Sequence, residues 1–211
     1  MDFFDFHHHH PDTLKGVYNL TGNQPVKDVL FSVGIHPADA ESFDQHFESL
    51  VKTAEMPRCV AIGECGLDAL VRIPAEIQEK AFEKQIELAN QLKKPLIIHC
   101  VRRFQEIIRF RKMAAVPMII HGFNKNQTVA KDLLKHDFYL SFGKALLQNV
   151  SLQETFGIVP AEKFFLETDD DGFSIEILYK KAAEIRKCSV EEIQKQIFTN
   201  FQTITNGQNL A

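Results

Sequence analysis

Six residues of this 211-residue chain could hold a metal ion, and they recur at intervals along it: His7, His9, Glu64, His99, His121 and Asp169. The first two lie in the run Asp5-Phe6-His7-His8-His9-His10, behind the apolar pair Phe3-Phe4. Alternate residues of a strand face the same way, so a strand here aims His7 and His9 at one point and turns His8 away. A purification-tag remnant or a His-rich surface loop would explain four histidines, but not the ligand-type residues that follow downstream. Taken singly, each of those has a plainer explanation. His99 or His121 could be a satisfied core imidazole, Glu64 a turn cap, and Asp169, with Asp170 and Asp171, an N-cap for a helix near Ser174. Taken together, two carboxylates and four imidazoles buried in one place need a countercharge, and a divalent ion supplies it.

The donor types narrow the ion. Imidazole nitrogen favours zinc, manganese, cobalt, nickel or iron, whereas magnesium and calcium prefer oxygen shells. Six ligands exceed the needs of one tetrahedral ion. The expectation is therefore one or two divalent ions (Zn, Mn, Co, Ni or Mg), with Glu64 bridging a pair. Such an ion lowers the pKa of its water towards about 7, and Asp169 is the candidate general base. That chemistry is hydrolysis without a Ser or Cys nucleophile, with Asp169 and Glu64 as its catalytic carboxylates.

These residues need strands to carry them, and the sequence supplies strands at regular spacing. Short apolar runs recur at 29–36, 59–64, 95–99, 117–121, 138–142 and 164–169, four of them ending at Glu64, His99, His121 and Asp169. Helical periodicity follows each run, at 38–54, 75–92, 104–113 and 127–135, weakly from Ala145, and at 174–187. Ser189-Val190-Glu191-Glu192 is a capping box that opens a last helix. Repeated strand–helix units with fully apolar strands predict a parallel sheet. Counting residues 3–9 gives seven clear strands, and Gly16 to Leu20 is a weak eighth. Eight close a TIM-like (β/α) barrel, for which about 250 residues is typical. The shortage falls early, so the barrel is expected to lack one or two outer helices near its N-terminus. One domain over residues 1–211 is expected. In a parallel barrel all strand C-termini share one face, so the six ligands would converge there.

Bulk properties narrow the setting. A formal charge of −4 and a pI near 6.1 argue against constitutive coating of nucleic acid, though not against brief engagement through a local patch. No apolar run is long enough to span a membrane, and the first residues lack a basic leader, so a cytoplasmic protein with no membrane association is expected. Cys59, Cys65, Cys100 and Cys188 form no CxxC pair and read as free thiols. Eighteen phenylalanines read as core and not as a base-stacking platform.

The same residues resemble the TatD family of metal-dependent deoxyribonucleases, within the amidohydrolase-like barrels. Asp5-Phe6-His7-His8-His9 resembles the opening Asp-x-His-x-His, and Gly34-Ile35-His36-Pro37 the Gly-Ile/Val-His-Pro motif. Ile62-Gly63-Glu64-Cys65-Gly66-Leu67-Asp68 resembles Ile-Gly-Glu-x-Gly-Leu-Asp, the most specific piece. Pro95 to His99, His121-Gly122-Phe123, Leu166-Glu167-Thr168-Asp169 and the late Asn200 follow in order. The resemblance implies a TIM-like barrel, one or two metals, and phosphodiester cleavage with DNA as substrate and no protein partner. It implies that His7 and His9 hold one ion, that Glu64 bridges, that His99 and His121 hold the second, and that Asp169 completes the first. This chain departs in its short early region, in Cys100-Val101-Arg102 after His99, and in Asp170-Asp171-Gly172, which runs directly to Ser174.

Other groups have secondary parts. His36 is expected to orient the site or touch substrate and not to ligate. Arg102, Arg103, Lys125 and Lys144 follow strand ends on the active face and are candidate phosphate contacts, or else solvated loop charges. Arg109, Arg111 and Lys112 read as the polar face of a helix, and His46 and His136 as surface. His10 is a possible substrate contact. Cys65 and Cys100 each follow a proposed ligand and read as buried thiols turned away from it. The acidic Asp170-Asp171 pair and the missing loop leave open a smaller phosphoester, lactone or amide as substrate. A catalytically inactive metal-binding barrel is the remaining alternative.

Overall fold

The computed structural model describes residues 2–13, 15–21 and 28–206. Eight strands lie side by side in chain order, every neighbouring pair parallel. They are β1 (Asp5–His8), β2 (Gly16–Leu20), β3 (Phe31–Val33), β4 (Cys59–Asp68), β5 (Leu96–Val101), β6 (Met118–Ile120), β7 (Phe138–Phe142) and β8 (Phe164–Leu166). The first and last strands meet: the Asp169 amide donates to His7 O at 3.0 Å and the His9 amide to Asp169 O at 2.9 Å. The sheet thus closes on itself, as the strand count predicted. Gly16 to Leu20, the weakest expected strand, is a fully buried stave of the barrel.

Helices cover the later crossovers: α1 (Phe43–Ala54), α2 (Ala75–Leu92), α3 (Phe104–Phe110), α4 (Gln127–Lys135), α5 (Val150–Ile158), α6 (Ile175–Arg186) and α7 (Val190–Ile204). Among the described residues no helix lies between β1 and β3, which is where outer helices were expected to be missing. His8 belongs to this part of the barrel. It is fully buried beside Tyr18, and a Cβ on Gly16 would be driven into the Asp5 carbonyl oxygen and crowd the His8 ring, so position 16 must be glycine. The desolvated imidazole is held neutral, its pKa lowered to about 4 by burial and by the neighbouring His7.

The phenylalanines are mostly core. Phe6 stacks on Phe165 with centroids 4.0 Å apart, and Phe142, Phe156 and Phe164 meet edge to face. Each fully buried ring is worth about 1.5–3 kcal/mol of transfer free energy. Two buried glutamines on α2 do local work. Gln85 accepts from Ile35 N at 2.7 Å and donates to Ile35 O, while Gln78 accepts from Asp68 N at 2.8 Å and donates to Asp68 O. They satisfy backbone groups at the ends of β3 and β4 and so hold the rim next to His36 and Asp68. Asn200 does the same at the barrel's other end, donating to Ala161 O and Phe164 O at the start of β8. The predicted capping box at Ser189 and Glu192 is present.

Candidate metal centre at the strand ends

Glu64 sits at the middle of the cluster because β4 runs tight against β5. Gly63 and Gly66 have φ of +150° and +139°, and a Cβ on either would be driven into the carbonyl oxygen of Ile97 or His99. With no side chain on these two residues the strands can touch, and Glu64 comes beside His99. β4 therefore continues to Asp68, four residues beyond the end that its apolar run suggests.

The two oxygens of Glu64 face different sets of rings. Oε2 lies 3.7 Å from both His7 Nε2 and His9 Nε2. Oε1 lies 2.7 Å from His99 Nδ1, 2.8 Å from His121 Nε2 and 3.5 Å from His36 Nε2. Asp169 joins the first set, its Oδ1 3.6 Å from His7 Nε2 and 3.4 Å from His9 Nε2. Its positive φ of +56° places it at the β1–β8 seam, and it does not cap α6. All six residues predicted as ligands thus come together at one end of the barrel. Three overlapping groups within ligand distance result: His7, His9 and Asp169; His7, Glu64 and His121; and His36, Glu64 and His99.

Charge follows this geometry. Burial works against the Glu64 carboxylate, but His121, His7 and His9 outweigh it and hold the group far below the ordinary range. His9 is raised to about 9, first by Asp169 and then by Glu64. Burial opposes a charge on His121, yet Glu64 and Glu167 raise it well above its usual value. Asp169 is lowered: burial raises it, and His9, His121 and His7 prevail.

The donor set fits a divalent cation. His7 is fully buried, and neither of its ring nitrogens has a hydrogen-bond partner. His99 is flanked by carboxylates on both sides, with Asp68 Oδ2 3.0 Å from Nε2 and Glu64 Oε1 2.7 Å from Nδ1. A neutral imidazole has one N–H and can satisfy only one of them. With Nε2–H donating to Asp68, the lone pair of Nδ1 points at Glu64 and at His121 Nε2, 3.4 Å away. A carboxylate behind an imidazole whose free nitrogen converges on other donors is the arrangement that orients a metal-binding histidine. His121 has a looser counterpart: Glu167 Oε1 lies 3.5 Å from Nδ1, an ion-pair distance without a hydrogen bond.

His36 differs. Its Nδ1 accepts the Ala38 amide at 3.1 Å, which leaves the proton on Nε2, and burial lowers its pKa and favours the neutral ring. It therefore presents an N–H towards Glu64, in keeping with an orienting part.

Several functional residues escaped the sequence reading. Asn19 on β2 donates to Glu64 Oε2 at 3.3 Å and accepts from Glu64 N at 3.1 Å. Glu167 is fully buried and accepts from Gly122 N, at 2.5 Å, and from Ser141 Oγ. Asp5 accepts from both Thr168 N and Thr168 Oγ1, tying β1 to the seam. The available signal was an acidic or amide residue inside an otherwise apolar strand, which demands a partner.

The candidate phosphate contacts divide. Arg103 pairs with Glu106 at 3.2 Å and Lys144 with Asp171 at 2.5 Å. Arg102 is exposed, and Lys125 stands 6.0 Å from the Phe104 ring centroid. Neither has an acidic partner among the described residues. His10 Nε2 is engaged by Asp171 O at 2.9 Å. Cys65 is fully buried as expected, whereas Cys100 is only partly so. Burial raises the Cys100 thiol to about 12.

A parallel barrel with this cluster at its C-terminal rim defines a metal-dependent hydrolase. The chain belongs to the TatD related DNase family, whose profile matches residues 7–206. It is similar to the Bacillus subtilis "Uncharacterized metal-dependent hydrolase YabD", 30% identical over 187 residues, covering 78% of this chain and 72% of that protein. It is also similar to the Escherichia coli "3'-5' ssDNA/RNA exonuclease TatD", 29% identical over 146 residues, 65% of this chain and 56% of that one. The human "3'-5' RNA nuclease TATDN2" is 32% identical over 146 residues, 64% of this chain and 19% of that protein. The match thus spans about half the length of the bacterial nuclease. In three dimensions the fold matches the Escherichia coli TatD homologue YJJV with a TM-score of 0.78 at 19% identity, covering 97% of this chain and 98% of that one. Among the described residues no helix is long and apolar enough to cross a membrane.

Proposed function

We propose that the chain is a two-metal nuclease that hydrolyses phosphodiester bonds of single-stranded nucleic acid, with DNA as its leading substrate. One observation carries the reading: Glu64 Oε2 faces His7 and His9 while Oε1 faces His99, His121 and, farther off, His36, so one carboxylate joins two half-sites. In the proposed assignment His7, His9 and Asp169 would hold one ion and His99 and His121 the other, with Glu64 contributing to both. Bound ions would supply Lewis acidity and a water of lowered pKa. Zinc, manganese, cobalt and nickel suit the imidazoles, and magnesium is kept in the test. Around them, Asp169 is placed to accept a proton. Asp68 and Glu167 fix their rings, and the Nε2–H of His36 points towards Glu64, where it can meet a phosphoryl oxygen. Arg102 and Lys125 are the rim cations free to meet the strand. The names of the bacterial and human relatives support nucleic acid and a 3'-to-5' direction.

The smaller-substrate alternative loses part of its motive. It rested on the missing loop after Asp169 and on two loop aspartates repelling a polyanion, and Lys144 pairs with one of the two, Asp171. The test is elemental analysis of the purified protein, with hydrolysis of end-labelled single-stranded DNA and RNA assayed in Mg, Mn, Zn and Co. Metal-dependent shortening from the 3' end is expected. Intact strands in every metal, beside turnover of a lactone or amide, would overturn the proposal.

A further inference from the structure

The charge of this acidic chain is strongly segregated. Residues 101–136 hold eight Lys and Arg against Glu106 and Asp132 alone, a surplus of six positive charges in a chain of formal charge −4. The remainder therefore carries −10. The fold gathers this segment into one sector, since it comprises the end of β5, α3, β6 and α4.

A groove of about 400 Å³ runs between α3 and α4. Phe104, Gln105, Ile108, Thr128, Val129, Lys131, Asp132 and Lys135 line it. Its upper end is Phe104, the first residue of α3, which lies five residues after His99 and beneath the Lys125 ammonium. Its lower end is Lys135, in the last turn of α4. Lys131 and Lys135 are exposed and have no acidic partner among the described residues. The groove's own carboxylate, Asp132, is engaged: its Oδ2 accepts from Gln105 Nε2 at 3.0 Å. The corresponding groove between α1 and α2 is of mixed charge. There Lys84 pairs with Glu87 at 2.9 Å, and Asp44 adds a further negative group beside Lys80.

We infer that the α3–α4 groove is an extended binding track for the phosphate backbone of a single-stranded nucleic acid whose end lies in the metal centre. The inference rests on the nuclease reading and goes beyond it, to a surface remote from the reacting atoms. Arg102 and Lys125 meet the strand at the rim, the Phe104 ring offers a base a stacking face, and Lys131 and Lys135 neutralise phosphates farther along. An apolar-floored groove with unpaired ammonium groups along it is how sequence-tolerant binders hold such a strand.

The experiment measures binding of fluorescein-labelled dT15, rU15 and dT3 by anisotropy across a salt series. It uses the full-length wild type, K131E/K135E, and K80E/K84E from the α1–α2 groove. The α3–α4 variant should bind the 15-mers about tenfold more weakly. Its salt slope should be shallower by about 1.4, at roughly 0.7 per lysine lost. dT3 should be little affected, because it does not reach past the rim. K80E/K84E should bind every strand as wild type does. The preferred 15-mer identifies DNA or RNA as the source of the backbone. Equal weakening in both variants, or unchanged 15-mer binding by K131E/K135E in a protein that still cleaves the strand, would overturn the track and leave the nuclease reading standing. Loss of binding to phosphatidylserine vesicles with none to either strand would overturn it in favour of a membrane surface. A wild type that neither binds nor cleaves any strand would overturn both readings.

Discussion

The two halves of the rim around Glu64 are built differently. On β5 and β6 the imidazoles of His99 and His121 have a second carboxylate behind them, Asp68 and Glu167 respectively. On β1 the ring of His7 is buried with no hydrogen-bond partner, and His9 leans on the carboxylates it would share with an ion and on the Asn19 amide, 3.4 Å from its Nε2. The first half is ordered by the protein. The second depends on its cation for order. Preorganised ligands cost less to assemble on binding, so the β5–β6 half should fill first and hold its ion more tightly.

The largest effect breaks both halves together. E64Q removes the shared negative charge and should lower phosphodiester hydrolysis about a thousandfold or more, since Lewis-acid stabilisation is worth several kcal/mol. Single-turnover assays on labelled strands would read this. A loss below about tenfold would remove Glu64 from the centre of the site.

Breaking the halves one at a time comes next. Asparagine tolerates the positive φ of Asp169, so D169N tests the carboxylate without disturbing the seam. It should cost the β1 ion and leave one tight ion per chain. H99A should cost the other and leave one weak ion. Isothermal titration of metal-stripped protein would separate these two patterns. Identical losses in both variants would erase the asymmetry.

The support behind the ligands gives a smaller effect. D68A should weaken the tighter ion by about 10–100-fold, and D68N, which keeps an acceptor for His99 Nε2, should recover part of the loss. Smaller still is Q85A, which leaves the Ile35 amide and carbonyl unpaired at the end of β3. It should cost about 1–3 kcal/mol of stability, read from urea midpoints, and should perturb His36 before the ion affinities.

The smallest effect lies at the opposite end of the barrel and serves as a control. Burial would raise Asp137, but Lys163 and Arg111 outweigh it and lower its pKa. A lowered carboxylate stabilises the fold above its ordinary pKa near 3.8, and the contribution fades as pH falls below that. D137N should remove no more than about 1 kcal/mol at pH 7, because the side chain is largely exposed. The difference from wild type should vanish on acidification, with metal binding unchanged.

Much of this is legible in the sequence. His7, His9, Glu64, His99, His121 and Asp169 lie at or near the ends of apolar runs, and a parallel barrel puts those ends on one rim, although Glu64 and His99 sit inside strands that continue to Asp68 and Val101. The boundaries of α2, α4 and β7 matched their periodicity. What stayed hidden needed three dimensions. Asp68 lay four residues past the expected strand end because Gly63 and Gly66 break the apolar run, although they are what let β4 continue. Glu167 and Asn19 were invisible as supports because their partners lie on other strands. The engagement of Lys144 and Arg103 depends on loop geometry. The groove lined by Phe104, Lys131 and Lys135 was hidden, because a sequence window does not show that α3 and α4 stand side by side.

The central claim is that one carboxylate joins two ions. Its most direct test is electron paramagnetic resonance of metal-stripped protein titrated with Mn(II). The account predicts a first, isolated Mn(II) signal that gives way to an exchange-coupled pair at two equivalents, with D169N halting at the isolated signal. Saturation at two equivalents with no coupling, or no bound manganese while another divalent ion supports strand cleavage from a single site, would contradict it.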